Sequence, residues 1–156
     1  ERALELDSQN GHANFWYAAY LGRIGELEGI KQSIINAYKV KEYALKSIEF
    51  SPDFSNSYHM MGRWHYGVAG LSDFERVIAS IIYETVPEGS YNEAIIFFKN
   101  AIKIKPDEIR YHFWLAKTYY MMNKIDLSKK EFEIVISLDS MDLEEELMKV
   151  EAKEHL

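Results

Sequence analysis

Apolar residues recur along most of the chain at three- and four-residue spacing, the period of one helix face. The clearest stretch is Tyr91 to Pro106, YNEAIIFFKNAIKIKP, where Tyr91, Ala94, Phe98 and Ala101-Ile102 share a face and Pro106 ends the run. The same ending occurs four times. An apolar residue is followed four positions later by a closing Ser or Pro: Leu4 by Ser8, Ile48 by Pro52, Ile102 by Pro106 and Ile136 by Ser140. The closers at 8, 52, 106 and 140 are separated by 44, 54 and 34 residues.

A second landmark gives the same frame. Large-small pairs, Tyr17-Ala18, Met61-Gly62 and Leu115-Ala116, stand where a first helix lets a second approach closely. From the small residue to the closer the spans are 34, 44 and 24 residues. Phe15-Trp16 and Phe113-Trp114 repeat in register. A tetratricopeptide (TPR) unit is roughly 34 residues of paired helices. The third unit therefore has standard length, and the first two carry insertions of roughly ten and twenty residues after their first helices. The spacing predicts an all-α, TPR-like helical-repeat solenoid in a single domain over 1–156. Residues 1–8 are the tail of a preceding helix, 9–52 unit one, 53–106 unit two, 107–140 unit three and 141–156 a capping helix.

The insertions can be placed. From Glu26 to Phe50 there is no Pro, and only Gly29 as a weak breaker. Leu27, Ile30, Ile34, Ala37, Tyr38, Lys41, Leu45 and Ile48 mark one stripe, which predicts a single long second helix in unit one. In unit two the insertion predicts a separate helix over about 72–86. Ser72 and Glu75 form an S-x-x-E capping box, in which each side chain satisfies an orphan amide at the helix start. Phe74, Val77, Ile78, Ile81 and Ile82 give that helix an apolar face, and Pro87-Glu88-Gly89 stops it. Ser90 with Glu93, and Asp142 with Glu145, repeat the capping pattern. The last of these opens a polar amphipathic segment suited to hiding the apolar end of a solenoid.

Composition narrows the chemistry. With 156 residues, 47% of them apolar and 14% aromatic, the chain can bury a sizeable core. Its net charge of −7 argues against a non-specific nucleic-acid binder, which needs clustered Lys and Arg. The absence of Cys excludes disulfides and thiolate metal sites. No apolar run reaches the roughly 18 residues of a membrane span. Glu1 opens the chain without Met inside a helix tail, which reads as a fragment, so missing targeting signals or anchors say nothing about a full-length protein. The five histidines, His12, His59, His65, His112 and His155, form no H-E-x-x-H pair. No phosphate-cradling G-x-x-x-x-G-K-[ST] or nucleophile-elbow G-x-S-x-G motif occurs. Glu144-Glu145-Glu146 sits where a helix N-terminus favours negative charge, which is a solvated face rather than a catalytic pair. An enzyme, a metal and a cofactor are therefore not expected.

Short motifs carry a family resemblance. Asn10-Gly11-His12, Trp16-Tyr17-Ala18, Glu28-Gly29-Ile30-Lys31, Asn36-Ala37-Tyr38, Lys41-Glu42, Gly62-Arg63-Trp64, Tyr66, Leu71-Ser72 and Ala116-Lys117-Thr118-Tyr119 cover most of the chain. Together with the two insertions they resemble the regulator of microtubule dynamics family, a TPR-like group with oversized first and second units. The family also has a variant of the Trp64 motif with Cys where this chain has His65. The resemblance implies a non-catalytic protein–protein adaptor. It implies a cytoplasmic setting, with links to tubulin or microtubules in some members and to mitochondrial or endoplasmic-reticulum membranes in others.

In stacked helix pairs the first helices line the inner face. The expected partner-binding residues are His12, Phe15, Ala19 and Arg23 in unit one, Asn56, His59, Arg63 and Tyr66 in unit two, and Arg110, Phe113, Lys117 and Tyr120 in unit three. Cations, an amide and aromatics suit an extended or acidic peptide. The carboxylate clamp of chaperone-binding TPR domains is absent, because Phe15 and Ala19 hold the positions where it needs Asn and Lys. Two alternatives stay open: the extra helices fill this groove, or the aromatics and the helix around Ile78 line a lipid-sized pocket.

Overall fold

A computed structural model describes residues 2–83 and 87–156. Among these residues the secondary structure is entirely helical. The elements are α1 (Arg2–Leu6), α2 (Gly11–Glu28), α3 (Ile30–Phe50), α4 (Ser55–Ala69), α5 (Asp73–Ile82), α6 (Tyr91–Ile104), α7 (Ile109–Met121), α8 (Ile125–Ser137) and α9 (Leu143–Glu154). The most extensive packing is α2 on α3, α4 on α6 and α7 on α8; α9 lies against α8 and α7.

Side-chain caps fix the starts of α2, α5, α6 and α9. The Asn10 side chain accepts from the Ala13 amide at 2.9 Å. At α5 the capping box is complete: Ser72 Oγ accepts from the Glu75 amide, and Glu75 accepts from the Ser72 amide at 2.7 Å. Ser90 accepts from the amides of Asn92 and Glu93, and Asp142 from that of Glu145 at 3.0 Å. Each such cap replaces water for an otherwise orphaned N–H.

The small residues of the three large-small pairs are all buried: Ala18, Gly62 and Ala116. A Cβ on Gly62 would lie 2.5 Å from the Phe98 ring, so α4 and α6 touch where only hydrogen fits. Three core clusters follow the chain. Ala18, Ala44, Met61, Trp64 and Val68 join α2, α3 and α4. Ala94, Ile95, Phe98, Leu115 and Tyr119 join α6 to α7. Ile109, Phe113, Phe132, Val135, Met148 and Ala152 join α7, α8 and α9.

Two expectations need correction. The long helix expected from Glu26 to Phe50 is interrupted. Gly29 has φ of 93°, a left-handed conformation that an L side chain rarely adopts, and it ends α2 and starts α3. Glu26, Leu27 and Glu28 therefore belong to α2, and both helices are long, at 18 and 21 residues. Asn36 ties the two together by donating to the Leu21 carbonyl at 2.8 Å.

The inserted helix forms as α5, although 84–86 of the expected span lie outside the described residues. Its apolar face does not pack as a whole. Ala79 is buried and Ile78 and Ile82 are half-buried, but Phe74, Val77 and Ile81 are exposed. The α5 helix rests on α3, with Tyr83 Oη donating to the Ile34 carbonyl at 2.7 Å just beyond it.

The final segment forms the amphipathic helix α9, which buries Met148 and Ala152; its outer side carries Leu143, Leu147 and Val150 exposed among the charged residues.

Candidate binding groove

Between α2, α3, α4 and α5 lies a cavity of about 940 Å³. One wall is a single face of α2, from Phe15 through Ala19 and Arg23 to Glu26. The opposite wall is α4, with Asn56, His59, Met60, Arg63 and Trp64. Ile34, Ala37 and Val40 of α3 form the base, Ala79 of α5 borders it, and Lys105, Glu108, Arg110 and Tyr111 reach it from the α6–α7 junction. The lining is mostly apolar, with polar groups placed at intervals, the usual character of a recognition site.

The residues expected on the partner-binding face separate into two groups. Phe15, Ala19, Arg23, Asn56, His59, Arg63 and Arg110 line the groove. His12 is exposed and stacks on Phe54 at 4.2 Å, outside the lining. Tyr66 is half-buried against Tyr91 and Trp114. The rest of the third-unit set lies under or beside α9. Phe113 is buried with Met148 and Ala152, Lys117 donates to Glu151 at 2.8 Å, and the Tyr120 ring meets His155 at 5.0 Å. Arg110 also bonds to Asp142 and Glu145 at the start of α9. The α9 helix thus buries Phe113, while Lys117 and Tyr120 stay at its edge, partly open to solvent.

The cations of this face are paired within the chain. Arg23 donates to Glu26 at 3.0 Å, Lys105 to Glu108 at 2.6 Å and Arg110 to Glu108 at 2.9 Å. Arg63 lies flat over Trp114, 4.1 Å from its centroid, with Glu26 at 3.8 Å. Tyr111 Oη donates to Asn56 Oδ1 at 2.5 Å and lies 2.9 Å from Ser55 Oγ, which pins the start of α4 to α7.

Sequence reasoning missed Ile34, Asn36, Ala37 and Val40 of α3 as groove residues. Their periodicity was visible, but a stripe against core and a stripe against a cavity look alike in sequence. Glu26 and Glu108, which neutralise the cations, left no signal of that role.

The groove combines an apolar floor with paired charge, and among the described residues no cluster of His, Asp or Glu could hold a metal. Relatives give the decisive comparison. The sequence matches the family described as Regulator of microtubule dynamics protein 1-3 over residues 1–156. It is 37% identical over 129 residues to regulator of microtubule dynamics protein 1 of Bos taurus, covering 82% of this chain and 41% of that protein. The chain belongs to the regulator of microtubule dynamics family. Family member 1 of Homo sapiens is 35% identical over 129 residues, 82% of this chain and 41% of that protein. Member 2 of Bos taurus is 30% identical over 154 residues, 98% of this chain and 38% of that protein. The chain thus spans well under half the length of these relatives. Among the described residues no helix is long and apolar enough to cross a membrane.

Two histidines in this family member have opposite titration behaviour. Burial, reinforced by Arg63 and Arg110, pushes His59 down to about 3. Its Nε2 is buried without a partner. His112 is held above the usual histidine range: burial opposes its charge, but Glu131 at 2.7 Å and the Pro106 carbonyl at 2.8 Å outweigh it. For His59 the unfolded chain binds the extra proton, so its contribution is full above about pH 6.5 and falls with acidification, by on the order of 2 kcal/mol at pH 5. For His112 the folded chain holds the proton, so its contribution is full below that pH and is lost as pH rises through its raised value. Melting temperature against pH should therefore fall on both sides. His59→Phe, which keeps the ring between Phe98 and Tyr111, should flatten the acid limb, and His112→Gln the alkaline limb. An acid limb unchanged in His59→Phe would contradict this assignment.

Proposed function

We propose that this chain is a non-catalytic protein–protein adaptor of TPR-like architecture, with the α2–α4 groove as its docking site. The helix pairs α2–α3, α4–α6 and α7–α8 act as three repeat units in one domain, α5 is the insertion of the second, and α9 caps the third. The observation that carries the reading is the groove: a mostly apolar cleft with polar groups along both walls. It suits a partner segment that inserts an apolar side chain and places an acidic one near Arg63. The relatives are named as regulators of microtubule dynamics, and tubulin, whose surface is acidic, is the proposed partner. On this reading the domain works in the cytoplasm at microtubules, with attachment to mitochondrial or endoplasmic-reticulum membranes as the alternative setting.

Co-sedimentation with stabilised microtubules tests this. Pelleting should fall as salt rises from about 50 to about 200 mM, because exposed charge pairs are screened. It should drop at least about tenfold in Ala19→Trp, which fills the groove, and in Arg63→Glu. Pelleting indifferent to both substitutions would contradict the reading. The size and apolar floor of the groove favour one other occupant, an anionic lipid. Native mass spectrometry separates the two: a lipid-sized mass retained through purification and removed by organic extraction supports the lipid, and a clean apo mass supports the adaptor.

A further inference from the structure

We propose that Arg63 anchors one acidic side chain of the partner segment, and that Glu26 of this chain is a placeholder which that carboxylate displaces. The inference rests on the groove being a protein-docking site and names what the site selects.

The geometry singles out Arg63. Its guanidinium is held over Trp114 at 4.1 Å, so its orientation is set before any partner arrives. Its nearest carboxylate oxygen, Glu26 Oε1, is 3.8 Å away, beyond a hydrogen bond. The other Glu26 oxygen accepts from Arg23 at 3.0 Å. Two arginines thus share Glu26, and Glu144 is the other carboxylate whose charge acts on Arg63. Lys105 and Arg110, the other groove cations, each donate directly to Glu108, and Arg110 to two further carboxylates as well. Among the described residues Arg63 alone of these four donates no hydrogen bond to a carboxylate. Burial also disfavours its charge, which marks a partly desolvated cation.

An oriented, partly desolvated guanidinium with no hydrogen-bonded carboxylate can take one bidentately. Peptide is the fitting source. Asn56, His59 and Arg63 recur along α4 beside Met60 and Trp64, so the wall alternates polar with apolar as a peptide's side chains do. Glu26 is about half exposed and can swing out to solvent while keeping Arg23.

Fluorescence anisotropy with two short labelled peptides tests this, one of alternating Glu and Leu and one with every Glu replaced by Gln. The intact chain should bind the Glu peptide roughly tenfold more tightly than the Gln peptide. Glu26→Gln should tighten the Glu peptide a further roughly three- to tenfold by removing the competitor. Arg63→Gln should erase the Glu-over-Gln preference, and Arg63→Lys should keep only part of it. Both sites are exposed enough for the fold to survive, and the preference between two peptides is a readout that a merely structural role would not move.

The proposal is overturned if the two peptides bind alike, if neither binds, or if the preference survives Arg63→Gln. A retained lipid that the Glu peptide cannot displace overturns it as well. Microtubule pelleting that Ala19→Trp abolishes, with no Glu-over-Gln preference, would remove Arg63 from the role and leave the groove as the docking site. Pelleting that ignores Ala19→Trp would remove the docking site itself.

Discussion

Arg110→Ala should destabilise the chain by about 3–5 kcal/mol and loosen α9 before the rest of the fold. Arg110 is the hub between α7 and the start of α9, bonded to Glu108, Asp142 and Glu145. The Glu145 side chain is only 4% exposed and that of Glu108 only 10%. Removing the cation leaves carboxylates with little access to water and fewer partners, and the penalty for an unpaired buried charge exceeds the worth of the pair that held it. For a chain of this size the melting temperature should fall by on the order of 10 °C. Hydrogen exchange should speed up first in α9, followed by the α7 amides that Met148 and Ala152 cover. The combination Arg110→Met with Glu145→Met should recover most of the loss, because it removes cation and buried carboxylate together and fills the volume with apolar atoms. A loss below about 1 kcal/mol in Arg110→Ala would show that α9 is held by apolar packing alone.

Phe98→Ala should cost about 3–5 kcal/mol, through lost burial plus a cavity. Phe98 is fully buried, with Ala94, Ile95, Leu115 and Tyr119 in its cluster, and its ring lies 5.7 Å from that of His59. The partner change is Gly62→Ala. The new Cβ would sit 2.5 to 2.8 Å from three atoms of the Phe98 ring, and a buried ring has little room to yield. Overpacking of this kind costs about 1–3 kcal/mol. The two sites should be strongly non-additive: Gly62→Ala should be far less harmful when Phe98 is Leu. Denaturant melts of the four species measure the coupling, and additive effects would contradict the close approach. A shift of the Phe98 ring would also move His59, so Gly62→Ala should perturb the groove wall as well as stability.

The fold was legible where the sequence signal was local. The recurrence of Ala18, Gly62 and Ala116 marked close helix contacts, and all three are buried. Ser72, Ser90 and Asp142 marked helix starts, and all three cap them. What periodicity could not reveal was the environment of a face. Phe113 has the spacing of an inner-face residue, yet α9 covers it; Phe74, Val77 and Ile81 have the spacing of a core stripe, yet they face solvent. Ile34 and Ala37 lie on a stripe that borders a groove, because α2 and α4 do not close over it. Gly29 looked like a weak breaker in an apolar run. Its left-handed φ, which no periodicity encodes, divides the first insertion between two helices.

Charge was misread for a related reason. Arg23, Arg63, Arg110 and Lys117 suggested a cationic groove, but their neutralising carboxylates, Glu26, Glu108, Glu145 and Glu151, come largely from other turns or other helices. Net charge and residue type do not say which cation lacks a hydrogen-bonded carboxylate. Only the geometry around Arg63 does.

The central claim is that partners dock in the α2–α4 groove. Hydrogen–deuterium exchange of the chain with and without stabilised microtubules tests it most directly. Docking in the groove should slow exchange in α2 around residues 15–26 and in α4 around residues 56–63, with α8 and the outer side of α9 unchanged. Protection confined to α9 or to the exposed stripe of α5, or no protection at saturating microtubules, would contradict it.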